Sequence, residues 1–142
     1  MKTRHHHQHA VLIIADMMSA LRRIGASIFF PECKLPQAHR FILVGAALGH
    51  AQLRGRPLTL ASLSRNIEMP STTAARILEE LQLSGWVYKR GKHYLLNLDR
   101  LEEPGYAEYF EEAARRITIA RKKLSELEIA ESAPTLAPAI EE

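Results

Sequence analysis

The residues best suited to chemistry fall in two short stretches of the chain. In the first, Ser71-Thr72-Thr73-Ala74-Ala75-Arg76, hydroxyls and a guanidinium recur at close spacing. A helix would bring Thr72, Thr73 and Arg76 to one side, because residues three or four apart are neighbours on a helix surface. There the guanidinium can donate two parallel hydrogen bonds to a guanine edge, and the hydroxyls can reach bases or phosphates. The free start of such a helix also favours an anion. In the second stretch, Lys89-Arg90-Gly91-Lys92-His93, three full charges and an imidazole surround a glycine. Cations this close repel one another unless an anion compensates, which suits contact with phosphate or a duplex minor groove. The bland alternatives are a solvated helix face beside a cap and an ordinary charged turn. Taken together, the two stretches favour a polyanionic partner.

Charge and composition agree with that partner and exclude other classes. The net charge is +3, and three of the sixteen acids (Glu131, Glu141 and Glu142) lie beyond Ala130, leaving 19 basic against 13 acidic groups before them. Such a surplus attracts polyanions such as DNA. Cys33 is the only cysteine, which rules out an intramolecular disulfide framework and a cysteine-based zinc finger. There is no nucleophile motif, Gly-rich phosphate loop or His-Glu helix signature, so we expect neither an enzyme nor a cofactor. His5, His6, His7 and His9 form a tag-like arm over residues 1–9. Without a carboxylate or thiol partner they define no metal site. The apolar stretch from Ala10 stops at Asp16, and no run approaches the roughly 18 residues of a membrane span. A cytoplasmic protein is expected.

The elements that must hold the two stretches are mostly helical. Val11, Ile14, Met18, Leu21, Gly25 and Ile28 recur every three or four residues, predicting an amphipathic helix over about 10–29. After Pro31 and Pro36 a second helix is predicted from Gln37 to Leu53, with Phe41, Val44 and Leu48 inward. Its Gly45, Ala46, Ala47 and Gly49 would let another helix approach closely. Leu58-Thr59-Leu60 reads as a strand-like bridge or a helix start, with Thr59 the N-cap of a short helix to Ile67. Glu68-Met69-Pro70 breaks that helix, and Ser71 caps a third one running to about Ser84. Ala74, Ile77, Leu78 and Leu81 form its inner face, and Gly85 its stop. Trp86 to Leu96 reads as a hairpin around Arg90-Gly91-Lys92, and Pro104-Gly105 punctuates the exit. A last helix over 106–130 has apolar residues at Tyr106, Phe110, Ala113, Ile117, Ala120, Leu124 and Leu127. Their alternating spacing is that of a seam between two helices. The Ala/Pro-rich tail, 131–142, is expected to be unstructured.

Helix, tight turn, helix and hairpin, all between Leu58 and Leu98, predict a winged helix-turn-helix. The fold class is mainly α with a small β-hairpin wing, flanked by long N- and C-terminal helices. The helix at 71–84 would enter a major groove, presenting Ser71, Thr72, Thr73, Ala75 and Arg76. The wing at 88–94 would place Lys89, Arg90, Lys92 and His93 on the backbone or in the minor groove. The partner so implied is double-stranded DNA, and the function regulation of transcription.

The segment resembles the winged-helix regulators of the MarR family. The resemblance is carried by Leu60, Leu63 and Ser64 in the first helix, Ser71-Thr72 opening the second, and Leu81 to Gly85 before the wing. Ser64 stands where that pattern has alanine, and the wing lacks the family's Asp-any-Arg element. Pro70 and the wing residues Gly91-Lys92-His93-Tyr94 also resemble the DNA-binding domain of the IclR family. That family adds a large effector domain for which 142 residues leave no room, so the MarR-like arrangement is the first expectation. It implies a homodimer built from the helices at 10–30 and 106–130, with Ile14, Met18, Leu21, Phe110, Ile117 and Leu124 at the interface. Two recognition helices held about one duplex turn apart then require a pseudo-palindromic operator. The resemblance further implies a small aromatic effector, and in some members an oxidant-sensing cysteine, a role for which Cys33 would be the candidate. The competing class is a winged-helix module that binds protein, with the seam of the last helix recruiting another chain.

Overall fold

The apolar spacing before Phe29 and after Pro104 does form the two longest helices of the computed structural model, which describes residues 4–132. They are α1 (Arg4–Phe29) and α5 (Pro104–Ser132). Between them the order is α2 (Leu35–Leu53), β1 (Leu58–Thr59), α3 (Leu60–Asn66), α4 (Ser71–Leu83), β2 (Val87–Arg90) and β3 (His93–Leu96). A 3₁₀ turn, Leu98–Glu102, precedes α5. α1 runs through the His-rich stretch, which is therefore helical rather than a separate arm, and α5 continues two residues past the expected end. The tail from 133 onward lies outside the described residues. No helix among the described residues is long and apolar enough to cross a membrane.

The chain divides into two compact units, Gly25–Ala107 and the residues before and after it. In the central unit, Ala38, Phe41, Val44 and Leu48 of α2 meet Leu63 of α3 and Ala74, Ile77, Leu78 and Leu81 of α4 in a single core. α3 has only seven residues, too few to hold a helix alone in water. Two features hold it in place. Leu63 is fully buried, a gain of roughly 1.5–3 kcal/mol. At its start, Thr59 and Ser62 form a reciprocal capping box, with Thr59 N–H donating to Ser62 Oγ at 2.8 Å and Ser62 N–H to Thr59 Oγ1 at 3.2 Å. The predicted N-cap is thus present.

The predicted hairpin is part of a three-stranded antiparallel sheet in the order β1-β3-β2. The two-residue strand β1 pairs Leu58 with Tyr94 and Thr59 with His93, so Leu58-Thr59 is both a bridge and the lead into α3. Gly45 and Gly49 of α2 face this sheet, while Ala46 is exposed. A Cβ at Gly49 would stand 3.0 Å from Leu96 Cδ2, and one at Gly45 3.7 Å from Leu96 Cδ1. The expected close approach exists, but a strand side chain makes it.

The other unit consists of α1 through Ile24 and α5 from Glu108. Ala120 is buried there, and Glu112 pairs with Arg115 and with Arg116, the latter at 2.9 Å. The predicted seam is only partly covered: Ala113, Leu124 and Leu127 are half-buried, while Phe110 and Ile117 are exposed. Tyr106, counted in that seam, instead packs in the central unit against Phe29 and Trp86.

Candidate nucleic-acid interface

The turn between α3 and α4 is built on side-chain as well as backbone bonds. Met69 N–H donates to the Ser64 carbonyl at 3.0 Å, and the Ser64 hydroxyl donates back to the Met69 carbonyl. The serine that replaces the MarR-pattern alanine thus fastens this turn. Glu68 sits at its tip with φ +52°, in the left-handed region that costs an L-residue about 1–2 kcal/mol. Pro70, not Ser71, is the N-cap of α4, and the Ala74 N–H reaches the Pro70 carbonyl at 2.9 Å. Proline has no side-chain acceptor, so the expected serine cap is absent. Ser71 is the first helical residue, and its hydroxyl donates toward Ser64 Oγ at 3.4 Å.

The inner face of α4 is sealed as predicted, with Ala74, Ile77, Leu78 and Leu81 all at 2 % exposure or less. Its opposite face is free. Ser71, Thr72 and Arg76 are exposed, together with Glu79 and Glu80, while Thr73 and Ala75 are half-buried. Thr72, Arg76 and Glu80 follow at intervals of four and so form one stripe. The outward face is therefore narrower than the five predicted residues. It also carries the carboxylate of Glu80.

The wing residues stand on a separate element, the β2–β3 hairpin, where Lys89 lies opposite Tyr94 and Arg90 opposite His93. Gly91 takes φ +62° in the two-residue turn, a conformation that favours glycine. Lys89, Arg90 and Lys92 are exposed and His93 is half-buried. Two of the charges rest on aromatic faces: Lys89 Nζ lies 5.3 Å from the Tyr94 ring centre, and the Arg90 guanidinium 5.9 Å from that of Tyr88. Each such contact is worth about 0.5–1 kcal/mol at an exposed site. The tyrosines thus relieve part of the mutual repulsion and leave the cations facing outward.

A strap joins the end of α4 to the wing. The Arg100 guanidinium lies 4.2 Å from the Trp86 ring centre and donates to the Ser84 carbonyl at 2.5 Å. Asn97 donates from its backbone to the Trp86 carbonyl at 2.8 Å, and from Nδ2 to that of Gly85 at 3.3 Å. Gly85, at φ +84°, provides the predicted helix stop. Buried Trp86 also packs against Phe29, Phe30 and Tyr106. Neither Arg100 nor Asn97 stood out in the sequence, since the 3₁₀ turn has no apolar period.

Two further cations approach α4 from α2. A groove of about 370 Å³ is lined by Lys34, Gln37, Arg40, Arg76 and Glu80 over a floor of Phe41 and Ile77. Lys34 and Arg40 lie far upstream of the helix-turn-helix, and nothing local marks them in the sequence. Cys33 lies beside this groove. Burial pushes its thiol up, and the carboxylates of Glu32 and Glu80 push it further. The adjacent Lys34 does not reverse that, so the setting opposes the thiolate an oxidant sensor needs.

With this geometry in view, comparison with known proteins bears on the same segment. No curated protein and no solved structure matches the chain. Residues 52–91 match the family model of the IclR helix-turn-helix domain. The match runs from the last turn of α2 through α3, α4 and β2 to the wing turn. Of the two family resemblances, the IclR one is therefore the one that a match supports, and it places a DNA-binding helix-turn-helix of that type, the module of transcription regulators, at residues 52–91.

Proposed function

We propose that the protein is a homodimeric, sequence-specific regulator of transcription, with α4 seated in the major groove and the wing on the backbone or in the minor groove. The observation that carries this reading is the exposed Thr72–Arg76 stripe on a helix whose other face is locked into the core. A reading helix must offer free polar groups from a rigid mount, and the match at residues 52–91 supports that role. The exposed cations of the hairpin suit backbone contact, which supplies affinity where Arg76 supplies choice.

Support for the dimer comes from uncovered apolar side chains. Met18 is 55 % exposed, Phe110 48 % and Ile117 49 %, and Ile14 is also exposed. Apolar residues grouped on helices in this way mark a surface that another chain covers. A second copy satisfies it and creates the two-fold symmetry of a pseudo-palindromic site.

Equilibrium binding to random duplex DNA at low and high salt tests the reading. Affinity should fall steeply with salt as counterions are released. No retention at low salt would instead favour the protein-interaction module. Sedimentation equilibrium at micromolar concentration tests the dimer, and a monomer there would overturn it.

A further inference from the structure

We infer that the groove between α2 and α4 is a second DNA contact, in which Lys34 and Arg40 hold a backbone phosphate flanking the base pairs that Arg76 reads. The inference rests on the DNA-binding reading above and extends it to residues outside the matched segment.

The groove's charge is unbalanced. Lys34, Arg40 and Arg76 line it against a single carboxylate, Glu80. Among the described residues none of the three cations takes part in an ion pair or hydrogen bond. The wing deals with the same crowding differently, by laying Lys89 and Arg90 over tyrosine rings. Lys34 and Arg40 make no cation–π contact of that kind among the described residues, so their charge is left for a ligand. Arg40 can present two parallel donors to a phosphate, Lys34 a point charge, and the Gln37 amide a neutral donor.

Geometry limits what that ligand is. Arg76 belongs both to the groove and to the outward stripe of α4. An α-helix with its side chains, about 10–12 Å across, nearly fills a major groove about 12 Å wide. The phosphate strands that border the groove must then pass the elements packed beside the helix. On the Arg76–Glu80 side that element is the start of α2. Phosphates there would meet Lys34 and Arg40 without carrying sequence information.

The test is equilibrium binding of the full chain to two labelled duplexes, one random and one selected from genomic fragments, between about 50 and 200 mM salt. The variants are Lys34→Gln, Arg40→Gln, the double substitution and Glu80→Gln, with thermal melts confirming that each folds. The double variant should reduce the slope of log affinity against log salt by about 0.9, the share of one phosphate, and each single variant by part of that. Each single variant should weaken both duplexes by the same factor, and the double variant by on the order of tenfold. Glu80→Gln should tighten both several-fold. A double variant with wild-type slope and affinity would overturn the inference, while steep salt dependence in the wild type kept the DNA-binding reading intact. Absence of salt-dependent binding by the wild type would overturn that reading and the inference with it.

Discussion

Gln52 hydrogen-bonds both backbone groups of Leu96: the Leu96 N–H donates to Gln52 Oε1 at 2.8 Å, and Gln52 Nε2 donates to the Leu96 carbonyl at 3.3 Å. β1 begins only at Leu58, opposite Tyr94, so the side-chain amide stands in for the strand residue that Leu96 lacks on that side. Gln52→Ala leaves two half-buried backbone groups unpaired, and should cost about 1–3 kcal/mol. Gln52→Glu keeps the acceptor but sets a carboxylate against a carbonyl, and should also destabilise. Urea unfolding measures both.

Leu96 also separates two glycines that look alike in sequence. Adding a methyl group to a mid-helix glycine favours the helix by about 1 kcal/mol. Gly45→Ala meets Leu96 at ordinary contact distance, so it should be neutral or stabilising. Gly49→Ala meets it at 3.0 Å, so the Leu96 side chain has to yield by a few tenths of an ångström, which offsets the helix gain. Paired melting curves should rank Gly45→Ala above Gly49→Ala.

The left-handed Glu68 is a built-in strain at the tip of the helix-turn-helix. Glycine there relieves about 1–2 kcal/mol and returns roughly 0.4–1 kcal/mol of entropy to the unfolded chain. The first exceeds the second, so Glu68→Gly should stabilise the fold by about 0.5–1 kcal/mol in chemical denaturation.

Arg76 and Lys92 should separate choice from affinity. Arg76→Ala should lose about 1–3 kcal/mol on the preferred duplex and relax sequence preference. Lys92→Ala should weaken all duplexes alike and reduce the salt slope by about 1. Competition binding against a panel of sequences distinguishes the two patterns.

Cys33 should react slowly with alkylating reagents. Its thiol is raised by burial and by Glu32 and Glu80, so the thiolate forms only at higher pH than in a free cysteine. The alkylation rate near pH 7 should therefore lie below that of a free thiol and climb at higher pH. Glu32→Gln should shift the rise toward lower pH. A rate at neutral pH above that of free cysteine would contradict this setting.

Local chemistry made much of the fold legible. The apolar period of α4 announced its buried face, Gly85 and Gly91 marked the stop and the wing turn, and Thr59 announced a cap. Those signals act within a turn or two of chain, where spacing determines neighbours. Ser71 misled because a cap is chosen by backbone angle as much as side-chain type, and Pro70 already supplied the extended residue before the helix. Gly45 and Gly49 advertised a close approach but suggested a helix as the partner, whereas Leu96 of β3, from the far end of the unit, makes it.

By itself the sequence determined the order of helices and strands, the inner face of α4 and the cationic wing tip, because each follows from periodicity or turn chemistry. Only the tertiary structure decided which charges share a site. Lys34 and Arg40 join Arg76, and Arg100 covers Trp86, across gaps in the chain that no periodic pattern spans. Packing of α2 and the 3₁₀ turn onto the core brings those groups together, and in the first half of α4 only Ser71, Thr72 and Arg76 stay exposed.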